Sequence, residues 1–388
     1  MGVPEQVVVV GGGLAGARTV QELRAQGHTG RVLLVGAEPH LPYDRPPLSK
    51  AVLSGEVDDT TLDVAWAGLD VDLHLGVRAT GLRPGVLETT AGELGHDALV
   101  VATGASPVRL GGGLCLRTVD EARALRERLR PGARVLVVGA GWIGAEVATA
   151  ARTARCEVVV LEAGPAPLVH ALGREVGLRT LPWYAAAGIE VRLGVAAVQV
   201  QVDRVVLSDG EELVADVVVV GVGARPDTSW LAGSGLPLDR GVLVDGHLAA
   251  GWPGVVAVGD CAAWESALFG TRLRVEHWDD ALQAPAVAAA TLLGVDAVHD
   301  PVPYFWSEQL GHLVQHAGHA EGADTVVEGG QPTDPAGWSV CWLREDRLVA
   351  VLAVDRPRDL LQGRRAIARL ARPDPARLAD PAVALKDA

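Results

Sequence analysis

Two short glycine-rich motifs constrain the fold of this chain of 388 residues more than any other feature. Each has the spacing Gly-x-Gly-x-x-Gly, the first at residues 11–16 and the second at residues 139–144. They follow the apolar runs Val7–Val10 and Val135–Val138, which are typical of buried parallel strands. The three glycines permit a tight turn, close approach of a pyrophosphate and close packing of the next helix on the strand. The chain is therefore predicted to be an α/β protein with two Rossmann-like dinucleotide-binding domains.

A carboxylate follows the second predicted strand of each of the two βαβ units. Glu38 follows the predicted strand Arg31–Val35, and Glu162 follows the predicted strand Glu157–Leu161. At this point of a βαβ unit a carboxylate accepts hydrogen bonds from ribose hydroxyls and repels the 2′-phosphate of NADPH. None of the eight residues after Glu162 is an arginine, although Arg174 lies not far beyond them. The second unit is therefore predicted to prefer NADH, with NADPH as the less favoured alternative.

Two dinucleotide sites in one chain indicate a relay between a bound redox cofactor and a diffusible hydride carrier. A flavin with NADH is the usual combination, because a flavin accepts a hydride and can pass on single electrons. The predicted cofactors are therefore FAD and NADH.

Composition argues against several other classes. The formal net charge of −14 repels phosphate backbones, so nucleic-acid binding is not predicted. No apolar segment approaches the ~20 residues of a membrane span, and no basic region precedes the first apolar run, as a signal peptide would require. The four cysteines form no CxxC pair, so no disulfide framework is expected, which fits a reducing cytoplasm. Because no cysteine precedes Cys115, a thiol-dependent reductase is disfavoured.

Beyond the glycine motifs, the chain resembles the FAD-dependent ferredoxin and rubredoxin reductases that serve oxygenases and cytochromes P450. These enzymes have the pyridine nucleotide-disulfide oxidoreductase fold without its redox disulfide. The resemblance covers essentially the whole chain. It rests on Pro42–Lys50 (PYDRPPLSK), Ala102–Gly104, Leu116–Thr118, Gly141–Glu146, Val222–Pro226, Val256–Asp260, Val275–Trp278 and Pro303–Ser307.

The resemblance implies a set of cofactor-binding residues. Glu38 would hold the FAD ribose, Asp260 the ribityl chain and the Trp278 backbone the pyrimidine edge of the flavin. The full set implied for FAD is Gly11, Gly13, Leu14, Ala15, Gly16, Glu38, Arg45, Lys50, Val77, Ala102, Thr103, Gly104, Arg117, Gly259, Asp260, Glu276, His277 and Trp278. The set implied for NADH is Gly139, Gly141, Trp142, Ile143, Gly144, Glu146, Glu162 and Gly223.

Three residues are candidates for the chemistry itself. Lys50 is one of only two lysines, the other being Lys386, and its ammonium could stabilise negative charge near the flavin. Glu146, in the first turn of the second predicted helix, could pair with it; the alternative is a surface lysine and an ordinary acidic helix start. Trp306 could cover the flavin and line the exit route of electrons, or it could be an ordinary core aromatic.

We predict that the FAD-binding domain is discontinuous and spans residues 1–108 and 236–303. Residues 109–235 would form the NADH-binding domain, and residues 304–388 a small α+β C-terminal interface domain. Val71–Leu75 and Val86–Thr90 are expected to pair like antiparallel strands. Ile189–Leu193 is assigned to an antiparallel excursion after the second unit.

The C-terminal region is expected to contain a small sheet and a final helix near Arg356–Ala371. The tail Arg372–Ala388 is rich in proline and aspartate and is expected to pack loosely. The histidines His312, His316 and His319 lie in a strand-like pattern, so a metal site is not predicted there.

The leading functional hypothesis is electron transfer from NADH through FAD to a ferredoxin-type [2Fe-2S] protein. A stand-alone flavoprotein acting on a small molecule or O₂ is the enzymatic alternative. A nucleotide-sensing protein with a structural flavin is the non-enzymatic alternative, which the presence of Lys50 and Glu146 disfavours. Whether the protein is a monomer or a homodimer is left open.

Overall fold

The computed structural model describes residues 2–388 and places the first glycine motif in a five-stranded parallel sheet. The strand order is β18-β7-β1-β2-β3. Helices α1 (Leu14–Ala25) and α8 (Trp278–Leu292) pack against each other beside this sheet. The strands are β1 (Gln6–Val10), β2 (Arg31–Gly36), β3 (Val71–Leu75), β7 (Ala98–Val101) and β18 (Val255–Ala257).

The second glycine motif lies in a four-stranded parallel sheet of order β11-β10-β9-β15. Helix α4 (Trp142–Thr153) begins within the motif, directly after Gly141, and helix α3 (Val119–Arg126) precedes the first strand of this sheet. The strands are β9 (Arg134–Val138), β10 (Glu157–Glu162), β11 (Glu190–Leu193) and β15 (Val217–Val220).

Two strand assignments made from the sequence are wrong. Val71–Leu75 pairs in parallel with β2, not with Val86–Thr90. Ile189–Leu193 does not belong to an antiparallel excursion, because its strand β11 pairs in parallel with β10. In both cases a long crossover returns the chain in the same direction, as a parallel pair requires. The crossovers contain helices α2 (Ala51–Ser54), α5 (Val169–Leu172), α6 (Arg174–Leu178) and α7 (Leu181–Ala186).

The remaining strands before residue 304 form four small sheets. Two of these sheets are antiparallel meanders, and a third contains one parallel and one antiparallel pair. The fourth pairs β8 (Ala105–Pro107) with β16 (Ala224–Pro226). The other strands are β4 (Ala79–Arg83), β5 (Val86–Thr89) and β6 (Gly92–Gly95); β12 (Ala197–Val200), β13 (Arg204–Leu207) and β14 (Glu212–Val214); and β17 (Val242–Val244), β19 (Ala262–Ser266) and β20 (Thr271–Leu273).

The C-terminal region is a five-stranded antiparallel sheet of order β21-β22-β25-β24-β23, covered by helix α9 (Pro357–Ala368). The tail does not pack loosely as expected. Leu378 of helix α10 (Pro375–Ala379) and Leu385 are both buried in the apolar core. The strands are β21 (Tyr304–Gln309), β22 (His312–Gly318), β23 (Thr325–Gly329), β24 (Trp338–Arg344) and β25 (Arg347–Val354).

The architecture confirms the predicted α/β class, with two Rossmann-like units and an α+β C-terminal region. The exact domain limits drawn from the sequence stay a prediction. None of the helices in residues 2–388 is long and apolar enough to cross a membrane.

Candidate functional site

The three glycines of the first motif have different structural roles. Gly11 has φ +125°, and a Cβ atom there would lie 2.0 Å from the Ala102 carbonyl oxygen. A Cβ on Gly16 would lie 1.9 Å from the Gly11 carbonyl oxygen, so both positions require glycine for the chain's own packing. A Cβ on Gly13 would meet no atom of residues 2–388 within 4 Å. Because Gly13 caps the N-terminus of α1, the free space lies where backbone N–H groups bind phosphates, and it fits the pyrophosphate of FAD.

In the second motif, too, the first and third glycines are required for packing and the middle glycine borders open space. Gly139 has φ +101°, and a Cβ there would lie 2.5 Å from the Gly221 carbonyl oxygen, while a Cβ on Gly144 would lie 2.0 Å from the Gly139 carbonyl oxygen. A Cβ on Gly141 would be 3.8 Å from its nearest neighbour, the Gly221 carbonyl oxygen. The space beside Gly141 is therefore open at the N-terminus of α4, where the chemistry of a second dinucleotide fits.

Glu38 lies at the end of the first unit within a polar cluster. Its carboxylate accepts hydrogen bonds from Arg45 Nη2 at 2.8 Å and from the Tyr43 hydroxyl at 2.5 Å. Burial raises the pKa of Tyr43 to about 12, so its hydroxyl remains a donor. A carboxylate has about four acceptor positions, so Glu38 keeps capacity for ribose hydroxyls. Tyr43, a residue of the Pro42–Lys50 motif to which the sequence gave no role, therefore orients Glu38 together with Arg45.

Arg117 and Asp260, which the resemblance implies as FAD-binding residues, form an ion pair. Arg117 Nη2 lies 2.7 Å from Asp260 Oδ2, and the Arg117 carbonyl accepts a hydrogen bond from Arg45 at 2.7 Å. Gly259, at φ +69°, turns the chain after β18 so that Asp260 sits at the carboxyl end of this strand. That edge is where parallel α/β sheets bind ligands.

Lys50 and Glu146 meet, as predicted. Lys50 Nζ lies 2.9 Å from Glu146 Oε1, with side-chain exposures of 18% and 4% respectively. Lys50 comes from the segment after the first unit, whereas Glu146 lies in the second turn of α4 and not in the first turn as expected, because the helix already begins at Trp142. The pair therefore joins the two nucleotide-binding units beside the second glycine motif. The surface-lysine alternative is wrong.

Two serine hydroxyls also bind Glu146, and the sequence gave no hint of them. Ser49 donates to Glu146 Oε2, and Ser307 on β21 donates to Glu146 Oε1 at 2.6 Å. Their only sequence signal is that Ser49 lies in the Pro42–Lys50 motif and Ser307 in the Pro303–Ser307 motif.

Aromatic rings surround Trp306. Its ring lies 5.9 Å from Trp278 in an edge arrangement and 6.1 Å from Tyr304 in a stacked one. Trp278 Nε1 donates to Asp44 Oδ1 at 2.7 Å, which fixes the first residue of α8. Burial raises the pKa of Asp44. Trp306 is half-buried in this group, a position that suits both a cofactor cover and an interface aromatic.

His277 caps α8 and lies against Phe305, with 4.9 Å between ring centroids, and Phe305 in turn lies 4.6 Å from Trp142. Its Nδ1 atom is buried and has no hydrogen-bond partner within residues 2–388. An unpartnered polar atom beside the first residue of α8 fits a group that the chain itself does not supply.

The remaining predicted residues lie around the same two units. Thr103 Oγ1 donates to the Asp227 carbonyl at 2.6 Å, and Glu276 pairs with Arg274 at 2.9 Å. Val77 continues the chain after β3, where its N–H donates to the Gly36 carbonyl at 2.9 Å. Around the second motif the structure places Trp142 and Ile143 in the first turn of α4, and Gly223 at φ +109° after β15.

Glu162 holds the second nucleotide-binding turn together. Its Oε2 atom accepts from the Ala140 N–H at 2.8 Å and its Oε1 atom from the Gly164 N–H at 2.7 Å. The carboxylate thus lies against the second glycine motif, at the position expected for binding a ribose.

The three C-terminal histidines do not converge on a metal site. They lie on or just after strand β22, and His312 pairs with Asp355 at 2.7 Å. No group of three potential metal ligands occurs anywhere in residues 2–388.

His316 makes stability sensitive to acid. It is 8% exposed, and burial lowers its pKa to about 3, below the ~6.5 of an unfolded chain. Below pH ~6.5 His316 therefore binds a proton in the unfolded chain but not in the folded chain. The free energy of unfolding decreases as the pH falls. We expect the free energy of unfolding to decrease between pH 7 and pH 5, with about 2 kcal/mol of the decrease due to His316.

Urea unfolding of the wild type and His316→Phe at pH 7 and pH 5 measures this contribution. The variant should lose less stability on acidification. Equal losses in the two proteins would show that His316 is not the group responsible.

Comparison with known proteins identifies the class. The family described as pyridine nucleotide-disulphide oxidoreductase matches residues 5–284, and the family described as reductase C-terminal matches residues 304–388. The chain belongs to the pyridine nucleotide-disulphide oxidoreductase family and carries a reductase C-terminal domain.

Individual relatives show which kind of reductase the chain is similar to. The ferredoxin reductase component of chlorobenzene dioxygenase from Cupriavidus sp. (strain PS12) is 38% identical over 398 residues, which cover 98% of this chain and 97% of the relative. The crystal structure of Fdr9 has 51% identity and a TM-score of 0.95, covering 98% of this chain and 99% of that one. The covalent putidaredoxin reductase–putidaredoxin complex matches with 31% identity and a TM-score of 0.94, covering 98% and 97%.

Proposed function

We propose that this protein is an FAD-dependent NADH:ferredoxin reductase that passes electrons singly to a [2Fe-2S] ferredoxin serving an oxygenase or a cytochrome P450. The observation that carries the proposal is the ion pair between the half-buried Lys50 and the buried Glu146, which joins the two nucleotide-binding units. The full-length similarity to ferredoxin reductases supports it.

FAD, when bound, supplies the exchange between a two-electron hydride and single electrons. The chain contributes binding and orientation. The N-termini of α1 and α4 offer N–H groups to phosphates beside Gly13 and Gly141. Glu38 and Glu162 offer carboxylates to the ribose hydroxyls, and Lys50 holds a positive charge that Glu146 keeps in place. The hydride step then needs positioning and no side-chain acid or base.

The four cysteines support direct electron exit from FAD without a thiol relay. All four are buried and unpaired, and burial raises each thiol pKa, to about 11 for Cys261 and about 12 for Cys341. A reactive thiol needs a lowered pKa and access to solvent. We also propose a cytoplasmic location, because four free thiols fit a reducing compartment.

Electrons would leave through the C-terminal region. Trp306 and Tyr304 of this region form a continuous aromatic group with Trp278 of α8, and Arg364 lies over the Tyr304 ring at 5.3 Å from its centroid. An exposed part of this group can contact a protein partner, since tryptophan, tyrosine and arginine are enriched at interfaces. We propose Trp306 as the aromatic residue on the exit route.

Reduction and reoxidation of the purified holoprotein test the function. Under anaerobic conditions, NADH should bleach the flavin faster than NADPH, and a [2Fe-2S] ferredoxin should restore its absorbance. Failure of every ferredoxin in a panel, with rapid turnover on O₂ or a small quinone, would instead support a stand-alone flavoprotein.

The preference for NADH should depend on Glu162. Replacement by alanine removes the ribose acceptor and frees the N–H groups of Ala140 and Gly164. We expect the KM for NADH to rise about tenfold, the value of one good charge-assisted hydrogen bond, while the KM for NADPH changes much less. Steady-state kinetics with both nucleotides measure the ratio. Glu157→Ala, at the exposed start of the same strand, is the matched control; an unchanged ratio in Glu162→Ala would remove Glu162 from nucleotide selection.

A further inference from the structure

Ser307 connects the C-terminal sheet to the Lys50–Glu146 pair. It lies on β21 and is 1% exposed, and its hydroxyl donates to Glu146 Oε1 at 2.6 Å. Glu146 lies on α4, the helix that starts at the second glycine motif. A residue of the C-terminal region therefore reaches directly into the ion pair between the two nucleotide-binding units.

The two carboxylate oxygens of Glu146 have different numbers of partners. Oε1 receives both the Ser307 hydroxyl and the Lys50 ammonium, at 2.6 and 2.9 Å. Oε2 receives the hydroxyl of Ser49, the residue next to Lys50. The two serines hold the plane of the carboxylate from opposite ends, so Oε1 stays directed at Lys50 Nζ.

Burial makes these bonds necessary. The Glu146 side chain is 4% exposed, and a buried carboxylate is stable only when its charge is paired and its acceptor positions are filled. Ser307 itself receives a long hydrogen bond from Gln309 Nε2 at 3.4 Å, which orients its own hydroxyl. Removal of the Ser307 hydroxyl would let the carboxylate turn and would loosen the position of the ammonium.

We propose that Ser307 is a positioning residue for the hydride step, acting through Glu146 on Lys50. The inference rests on the proposed function, because it assigns Ser307 to the NADH-dependent reduction of bound FAD. Ser307 is a positioning residue and not a catalytic one, because its hydroxyl acts on Lys50 through Glu146.

Single-turnover reduction of the holoprotein tests the assignment. NADH is mixed anaerobically with wild type, Ser307→Ala, Ser307→Thr and the control Ser339→Ala, and the loss of flavin absorbance is followed over time. Ser339 is also a buried serine of the C-terminal sheet, at 6% exposure. The limiting rate should fall about tenfold in Ser307→Ala, as expected for a lost hydrogen bond to a charged group, with little change in the NADH concentration that half-saturates it. Ser307→Thr, which keeps a hydroxyl, and Ser339→Ala should stay near the wild-type rate.

A double-mutant cycle separates positioning from general damage to the fold. In a Lys50→Met background there is no ammonium left to position, so Ser307→Ala should slow reduction no further. An equal slowing by Ser307→Ala with and without Lys50 would overturn the proposal, as would a wild-type rate in Ser307→Ala itself. Wild-type protein that NADH does not reduce at all would instead defeat the proposed function, so the two failures are distinguishable.

Discussion

Replacing Lys50 with methionine should slow the reduction of bound FAD by NADH about a hundredfold, the usual cost of deleting one preorganised charged or hydrogen-bonding group from an active site. Methionine keeps much of the length of the side chain but removes the ammonium that lies 2.9 Å from Glu146. The buried carboxylate then keeps only Ser49 and Ser307 as partners. Anaerobic stopped-flow reduction with NADH measures the rate, and flavin content per protein confirms that the cofactor is still bound.

The sequence provides a matched control for this substitution. Lys386 is the only other lysine, and its side chain is 64% exposed near the C-terminus. NADH should therefore reduce the FAD bound to Lys386→Met at the wild-type rate. The rate of flavin reduction in Glu146→Gln should fall between those of the two lysine variants, because glutamine keeps the shape and one acceptor oxygen but removes the charge that holds the ammonium. If Lys50→Met is reduced as fast as Lys386→Met, the ion pair has only a structural role.

The second large effect is expected at the middle glycine of each motif. Gly13→Ala places a methyl group where the chain has no atom within 4 Å, so the protein without cofactor should fold normally. The same methyl group occupies the space in which a pyrophosphate must approach the backbone. We expect FAD affinity to fall by a hundredfold or more, on the order of the few kcal/mol that overpacking costs. Flavin content after purification and titration of the apoprotein with FAD measure this loss.

Gly141→Ala should show the complementary result. It should retain bound FAD but require a much higher NADH concentration for half-maximal reduction, because its methyl group enters the space beside the second motif. Gly68→Ala is the control for both substitutions, since Gly68, like Gly13, has no neighbour within 4 Å but lies far from both motifs in the sequence. Full FAD content in Gly13→Ala, or loss of FAD from Gly141→Ala, would contradict the assignment of the two motifs.

Local sequence patterns predicted the parts of the site that depend on local geometry. The glycine spacing, the apolar strands before it and the closing carboxylates all lie within single βαβ units, where chain direction and helix position follow from the pattern. Lys50 was recognisable because the chain otherwise uses arginine almost exclusively. Its partner Glu146 could be named because it lies only two residues after the second motif.

Contacts between distant segments could not be read in the same way. Ser307 lies 161 residues from Glu146, and Asp44 lies 234 residues from Trp278. A serine or an aspartate has no periodic signature that announces such a partner, because its hydrogen bond depends on how whole units pack. The partners of β3 and β11 were misassigned for a related reason. Strand alternation indicates which face is buried, but not which neighbour pairs with the strand.

The central claim is that electrons enter as a hydride from NADH and leave singly to a ferredoxin. Counting the electrons that reach ferredoxin for each NADH tests this claim most directly. The holoprotein is given a limiting amount of NADH and an excess of oxidised [2Fe-2S] ferredoxin without oxygen, and reduced ferredoxin is measured by its absorbance. The account predicts two reduced ferredoxins for each NADH consumed, with the flavin fully reoxidised at the end. Consumption of NADH with no reduced ferredoxin formed would contradict it.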